Sequence, residues 1–191
     1  GEPAGYMTSI SRDLLPDTTE GFDAAIVSLD AESGAIRVMV GGREFKPGER
    51  ELNMALSPRQ TGSSIKYFIL AAAIQADAQG GDLIDGQRGC ALPSGDPNEP
   101  VFQINGGASG FVGNLRDITA RSINCGFARL SQIVGLNRVV DTTYRMAESA
   151  YLYRNQPESD REPVQPFASF ATGANEMTVL DMAAGIQTLA N

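Results

Sequence analysis

Near the start of the chain, apolar residues form two short runs that predict a β-hairpin. The runs Ala24 to Leu29 and Ile36 to Val40 are partly β-branched, and the polar stretch Asp30 to Gly34 separates them. Residues 1–21 show no sustained periodicity and contain two prolines, so they are predicted to be a connecting segment.

The run from Ile65 to Ile74 is apolar on every side, which predicts a helix buried in the middle of a domain. The polar residues 43–62 before it are predicted to form a long loop, in which Gly62 breaks the chain. Two polar side chains stand at the start of this helix. If it begins near Ser63, then Lys66 follows at i+3 and projects from the same face, with the Cβ atoms about 5–6 Å apart.

The rest of the chain is predicted to be mostly helical. The central helix ends by Gly80-Gly81, and residues 82–113 are rich in glycine and proline and are predicted to be loops. Two capping-box signals, Asn114 with Asp117 and Thr178 with Asp181, each open a helix. The predicted helices are 115–121, about 126–134, 136–147 with Val139, Val140, Tyr144 and Met146 as its core face, and a last helix with Val179, Leu180, Met182, Ala183, Ile186 and Leu189 at helical spacing. Residues 154–168 are polar and proline-rich and are predicted to be a solvated loop.

The Ser63 and Lys66 pair suits nucleophilic chemistry. A serine hydroxyl needs an adjacent base, and the chain contains no histidine, so lysine would have to take that role. Burial against an apolar helix disfavours the ammonium form and lowers the pKa of a lysine, as a base requires. The alternative interpretation is a helix-capping serine followed by a lysine that extends to solvent. Ser-x-x-Lys alone does not decide between the two.

A second motif, Ser122-Ile123-Asn124, lies 59 residues after Ser63. Together, RQTGSSIK (59–66) and LRDITARSIN (115–124) resemble the transpeptidase domain of penicillin-binding proteins, whose superfamily signature combines Ser-x-x-Lys, a second Ser-x-Asn type motif and Lys-Thr-Gly. The segments AAIVSLDAESGAIRVMVGG (24–42) and TGANEMTVLDMAAGIQTLAN (172–191) resemble those that flank this site in class A, the bifunctional murein synthases.

The resemblance implies an α+β fold of the serine β-lactamase and penicillin-binding-protein type, an antiparallel sheet with an inserted helical subdomain. Residues 22–191 would be the transpeptidase domain. The Lys-Thr-Gly triplet does not occur in the chain, and one hairpin alone is a marginal sheet. We therefore expect the domain to be incomplete at its C-terminus, and either a missing C-terminal segment or a second chain to complete the sheet and the site.

By resemblance, the substrates would be peptidoglycan stem peptides, with β-lactam antibiotics as their mimics, and no cofactor or metal is implied. Ser63 would attack the D-Ala-D-Ala carbonyl and form an acyl-enzyme, with Lys66 as the base. Ser122 would relay a proton between Lys66 and the leaving amine, and Asn124 would bind the substrate backbone and Lys66. An amine of a neighbouring stem peptide would then complete the cross-link.

Two other classes of function remain open at this stage. One is another acyl-serine relative: a D,D-carboxypeptidase, a β-lactamase or a class B transpeptidase. The other is a non-catalytic binding or scaffolding domain that keeps the motifs without turnover.

Charge and hydropathy exclude some partners. A formal net charge of −8 argues against nucleic-acid binding, and no run of 18 apolar residues could span a membrane. The resemblance implies an extracytoplasmic location, at the outer face of the bacterial cytoplasmic membrane, with any membrane attachment through an upstream anchor.

Two cysteines, Cys90 and Cys125, do not make a metal motif in a chain without histidine. An exported protein permits a disulfide between them, and closing that loop of 35 residues would stabilise the fold by about 4 kcal/mol on the chain-entropy model. Two buried free thiols are the alternative.

Overall fold

The computed structural model describes residues 23–43, 46–49, 51–147 and 164–190. The predicted connecting segment 1–21 and most of the predicted loop 154–168 lie outside the described residues. The strands are β1 (Ile26–Leu29), β2 (Ile36–Val40), β3 (Arg59–Gln60), β4 (Leu83–Asp85), β5 (Cys90–Asp96), β6 (Glu99–Ile104), β7 (Val112–Asn114) and β8 (Glu176–Met177). The α-helices are α1 (Lys66–Gln75), α2 (Leu115–Ala120), α3 (Asn124–Val134), α4 (Leu136–Ala147) and α5 (Val179–Ala190), and 3₁₀ turns occupy Gly62–Ile65 and Ala168–Thr172.

The predicted hairpin is present as the antiparallel pair β1–β2, with Val27 opposite Met39. Its turn is closed by Asp30, whose backbone N–H donates to Ala35 O at 2.9 Å and whose carboxylate accepts from Arg37. The Arg37 guanidinium is the main reason that the pKa of Asp30 falls to about 2. The turn of this hairpin is therefore fixed by local sequence signals.

The central helix α1 is buried as predicted, because Phe68, Ile69 and Ala72 have no exposed surface. Two details differ from the prediction. The element opens as a 3₁₀ turn, Gly62–Ile65, before the α-helix starts at Lys66, and it ends at Gln75.

The prediction that residues 82–113 are loops was wrong. They contain four strands, β4 to β7, in two antiparallel pairs, β4–β7 and β5–β6. Residues 43–62 also include a strand, β3, which pairs with the distant strand β8, with Arg59 opposite Met177 and Gln60 opposite Glu176. These strands are short and interrupted by glycine and proline, so pairing with a partner stabilises them rather than any local periodicity.

The helices that follow agree with the prediction. Asn114 caps α2, since its Oδ1 accepts from the Asp117 N–H at 2.9 Å while its amide donates to the Asp117 carboxylate at 3.0 Å. Helix α3 begins at Asn124, two residues earlier than predicted, and α4 has the predicted bounds. Val139 is fully buried on the core face of α4.

The last helix, α5, has the predicted capping box. Thr178 Oγ1 accepts from the Asp181 N–H at 3.0 Å, and Asp181 Oδ2 accepts from the Thr178 N–H at 2.8 Å. Burial raises the pKa of Asp181, opposed by the hydrogen bonds that its carboxylate accepts from the Thr178 N–H and hydroxyl. Ile186 and Leu189, predicted as core, are more than half exposed, so the buried face of α5 is narrower than the sequence suggests.

The architecture is α+β, as predicted, and in the described residues the strands form four two-stranded antiparallel pairs. Helix α5 packs against β1, α4 and α1, and Gly185 permits its close approach, since a Cβ there would lie 2.5 Å from the Phe68 ring. Within the described residues, none of the helices has the length and apolar character to cross a bilayer.

Candidate active site

Ser63 and Lys66 meet because the chain enters α1 through a 3₁₀ turn. In such a turn the side chains at i and i+3 eclipse each other, so the two polar groups project in the same direction. Lys66 Nζ lies 2.9 Å from Ser63 Oγ. Ser64 is not part of this pair, because its hydroxyl donates to Thr61 O at 2.6 Å. The spacing therefore selects Ser63.

The 3₁₀ turn is held in place by backbone packing against a second 3₁₀ turn, Ala168–Thr172. The glycine that ends this second turn, Gly173, has φ +80°, and a Cβ on it would lie 2.2 Å from Gly62 O. Two glycine backbones thus touch directly behind Ser63. No larger residue fits at Gly173, which makes this contact a determinant of where the Ser63 hydroxyl lies.

Ser122 is delivered by the C-terminus of α2. The Ile123 N–H donates to Ile118 O at 3.1 Å and the Ser122 N–H to Thr119 O at 3.0 Å, which is the Schellman pattern of a helix end. Ser122 occupies the left-handed position of that motif with φ +52°, a position that favours glycine. Its hydroxyl and its carbonyl oxygen lie 2.9 Å and 2.8 Å from Lys66 Nζ. A strained serine at this point places both oxygens on the lysine.

Asn124 is the first residue of α3, and its Oδ1 accepts from Lys66 Nζ at 2.6 Å. The residue before it, Ile123, makes no side-chain cap. The other end of the Asn124 amide faces the loop between β6 and β7, where a Cβ on Gly107 would lie 2.5 Å from Nδ2. The amide is thus oriented with its oxygen on Lys66 and its NH₂ group away from it.

Cys90 and Cys125 form a disulfide, with a Cα–Cα distance of 5.9 Å, so the free-thiol alternative does not hold. Each cysteine is 3% exposed. Cys125 directly follows Asn124, and the bond joins the start of β5 to the first turn of α3.

Lys66 is 4% exposed, and burial lowers its pKa from 10.5 to about 8. The Phe127 ring lies below the ammonium group, 5.5 Å from Nζ to the ring centroid, and favours the charged form in part. No ion pair to Lys66 occurs among the residues that the structure describes. Its neighbours are neutral oxygens, which solvate either protonation state.

Four oxygen atoms surround Nζ at 2.6–2.9 Å, one more than an ammonium can donate to. Two of them, Ser122 O and Asn124 Oδ1, are carbonyl oxygens that only accept. The other two belong to the hydroxyls of Ser63 and Ser122, which can also donate. A neutral amine fits this set, because its two N–H groups can donate to the two carbonyls while its lone pair accepts from one hydroxyl.

The structure therefore brings together all four residues singled out in the sequence: Ser63, Lys66, Ser122 and Asn124. Ser63 is exposed, so its hydroxyl is accessible from solvent, whereas the amine behind it is not. Within the described part of the chain, no group of three or more His, Cys, Asp or Glu could hold a metal ion.

Sequence reasoning missed three contributors to this site: Phe127, Gly173 and Gly107. Phe127 could have been found, because it follows Asn124 at i+3 and so shares a helix face with it. The two glycines carry no local signal, since the neighbours that require them, Gly62 and Asn124, are distant in the sequence.

A model of the penicillin binding protein transpeptidase domain matches residues 24–191. Penicillin-binding protein 1A of Neisseria meningitidis serogroup A is 29% identical over 171 residues, which cover 87% of this chain and 20% of that protein. This chain spans about a fifth of the length of the curated relatives it matches.

Two solved structures share the fold. Penicillin-binding protein 1A from Haemophilus influenzae matches with a TM-score of 0.66 and 25% identity, over 87% of this chain and 23% of that chain. PonA1 from Mycobacterium tuberculosis, in complex with penicillin V, matches with a TM-score of 0.70 and 22% identity, over 97% of this chain and 48% of that chain.

Proposed function

The chain belongs to the penicillin-binding protein transpeptidase domain family, and we propose that it supplies the nucleophile, base and proton relay of a peptidoglycan D,D-transpeptidase. One observation carries the proposal. A buried lysine amine lies 2.9 Å from each of two serine hydroxyls and is oriented by two carbonyl oxygens. Structural lysines extend their amines to solvent, whereas this one is withdrawn from it.

Acylation begins when Lys66 takes the proton of the Ser63 hydroxyl. With a pKa of about 8, roughly one amine in ten is neutral at pH 7, against roughly one in three thousand at the ordinary value of 10.5. Ser63 Oγ then attacks the carbonyl carbon of the penultimate D-alanine, and in this scheme N–H groups at the start of the 3₁₀ turn stabilise the resulting oxyanion.

Breakdown of the tetrahedral intermediate requires a proton on the departing amine. Ser122 Oγ lies 2.9 Å from Lys66 Nζ, and in this scheme its hydroxyl accepts from the lysine while it donates to the leaving nitrogen. The C–N bond breaks, D-alanine leaves, and an ester joins the stem peptide to Ser63. An amine from a second stem peptide attacks this ester. The C–O bond to Ser63 breaks, the amine's proton passes through the same relay to Ser63 Oγ, and the new amide bond is the cross-link.

Asn124 binds the substrate in this scheme. Its Oδ1 is occupied by Lys66, and its NH₂ group donates to a carbonyl of the stem peptide backbone. β-Lactams are accepted as mimics of the D-Ala-D-Ala end and acylate Ser63 without prompt release. The likeness to PonA1, which was solved with penicillin V, supports this part of the proposal.

Additional polypeptide completes the sheet that starts with β1 and β2. One face of this hairpin carries Ile26, Val38 and Val40, exposed by 54%, 46% and 37%. An apolar face on a two-stranded sheet is marginal in water, and further strands and a helix would cover it. The Lys-Thr-Gly anchor and a second oxyanion donor would come from the same polypeptide. We place the protein at the outer face of the bacterial cytoplasmic membrane, where its substrate is.

Acylation by a fluorescent penicillin tests the assignment of the nucleophile. In the full-length protein, Ser63→Ala should abolish labelling, whereas Ser64→Ala should keep it, because only Ser63 has lysine at i+3. Mass spectrometry of the labelled peptide locates the adduct. Label on Ser64, or equal labelling of the Ser63→Ala variant, contradicts the assignment.

Product analysis with stem peptide substrates separates transpeptidation from the related activities. Cross-linked dimers require an amine as the acyl acceptor, whereas trimmed peptides alone indicate a carboxypeptidase. A protein that binds penicillin without forming an ester at Ser63 would be a binding domain instead.

A further inference from the structure

The first turn of α3 carries Asn124 but lacks the usual means of holding a helix start. Ile123 makes no side-chain cap, and the first turn contains no acidic residue. By contrast, α2 and α5 both begin with a side-chain cap, from Asn114 and Thr178. Something else must keep the Asn124 amide against Lys66.

The disulfide supplies that constraint. Cys125 is the second residue of α3, and its bond to Cys90 ties the turn to the start of β5. Strand β5 is itself paired to β6 with Cys90 opposite Ile104. The uncapped turn is thus attached covalently to a hairpin, one residue away from Asn124.

The segment that leads into Cys90 also holds the β6–β7 loop, which faces the NH₂ side of the Asn124 amide. Residues 86–89, which lead from β4 into Cys90, bind the loop that crosses this amide: Arg88 Nη2 donates to Gly107 O at 2.6 Å and the Gly86 N–H to Phe111 O at 2.9 Å. From α3, Arg129 Nη1 donates to Gln87 O at 3.3 Å. The β6–β7 loop and helix α3 are therefore both hydrogen-bonded to one short segment, residues 86–89, which leads into the disulfide.

We propose that the Cys90–Cys125 disulfide is a positioning bond of the active site, which keeps the Asn124 oxygen on Lys66 and the Asn124 NH₂ group turned away from it. Neither sulfur touches substrate. Reduction frees the first turn of α3, so that Asn124 moves off Lys66 and water reaches the amine. Because burial is what lowers the pKa of Lys66, wetting the amine moves that pKa back towards its ordinary value.

The inference rests on the proposed acylation of Ser63, since acylation is its readout. Reduction by a dithiol such as dithiothreitol is balanced: the dithiol gives two electrons and two protons, the S–S bond breaks, two thiols form, and the dithiol closes to a cyclic disulfide. Since both cysteines are 3% exposed, thiol titration is needed to show that two thiols per chain have formed.

The experiment measures the second-order rate of acylation by a fluorescent penicillin, and its pH profile, in the full-length protein. The oxidised protein is compared with the reduced protein and with the Cys90→Ala/Cys125→Ala double variant. Val139→Ala is the matched control, because it opens a cavity in the core of α4 and weakens the fold without touching the first turn of α3. Far-UV circular dichroism verifies the fold of each sample.

Reduction and the double variant should each slow acylation by about 10- to 100-fold, in line with the cost of misplacing a positioning group. The midpoint of the pH profile should move to higher pH, reoxidation should restore both values, and Val139→Ala should change neither. Equal rates and midpoints in the oxidised and reduced forms overturn the proposal, as does the same shift in Val139→Ala. Global unfolding on reduction also overturns it, because the bond would then serve folding and not position. If the oxidised protein is not acylated at Ser63 at all, the proposed function fails instead.

Discussion

Ser122 offers a test in which two variants should differ in stability and lose activity alike. Its φ of +52° places a non-glycine residue in the left-handed region at the end of α2, where its hydroxyl reaches Lys66. Two substitutions separate these properties. Ser122→Gly removes both the hydroxyl and the strain, whereas Ser122→Ala removes the hydroxyl and keeps the strain.

The expected difference follows from the backbone. A left-handed conformation costs about 1–2 kcal/mol for a residue with a Cβ, and glycine loses about 0.5–1 kcal/mol more conformational freedom than alanine on folding. Both variants lose the same hydrogen bond to Lys66, so that loss cancels between them. From the midpoints of these two ranges, Ser122→Gly should therefore be more stable than Ser122→Ala by about 0.8 kcal/mol. For a domain of this size, 1 kcal/mol corresponds to about 2–4 °C in the melting temperature.

Activity should not follow stability. If the Ser122 hydroxyl relays the proton to the leaving amine, both variants should lose about 10²–10⁴ in the rate of acylation by a fluorescent penicillin. Thermal unfolding followed by circular dichroism gives the stabilities, and timed labelling gives the rates. Equal melting temperatures for the two variants would show that the left-handed position is not strained, and labelling of Ser122→Gly at the wild-type rate would remove Ser122 from the mechanism.

Two further predictions concern the lysine and the packing behind the nucleophile. Because burial lowers the pKa of Lys66 to about 8, the neutral base accumulates above that pH. The second-order acylation rate should therefore rise through about pH 8 and then level off. The Lys66→Arg variant stays charged and should remain inactive across the range. A flat profile in the unsubstituted protein would exclude lysine as the base. Gly173→Ala should displace the 3₁₀ turn and reduce acylation by about 10²-fold, since its Cβ would lie 2.2 Å from Gly62 O. Gly48→Ala is the control, because Gly48 also has a positive φ, +78°, but open space around it, and it should keep the wild-type rate. Equal effects of the two substitutions would refute the packing argument.

Much of the local structure could be predicted from the sequence. The bounds of α4, the caps of α2 and α5, the hairpin β1–β2 and the pairing of Ser63 with Lys66 all depend on residues within a few positions of one another. Periodicity and side-chain caps act over that range. The prediction failed for β4 to β7, where glycine and proline hide the pattern and each strand is stabilised by a distant partner.

The sequence by itself determined which residues have the chemistry: a serine and a lysine at helical spacing, a second serine and an asparagine, and no histidine to act in their place. Only the tertiary structure decided that Lys66 lies between Ser63 and Asn124, that the two cysteines are bonded, and that Gly173 must be glycine. The reason is physical. A pair at i and i+3 is oriented by the geometry of one turn, whereas the burial that lowers the pKa of Lys66, and the contact of one backbone with another, exist only when segments far apart in sequence pack together.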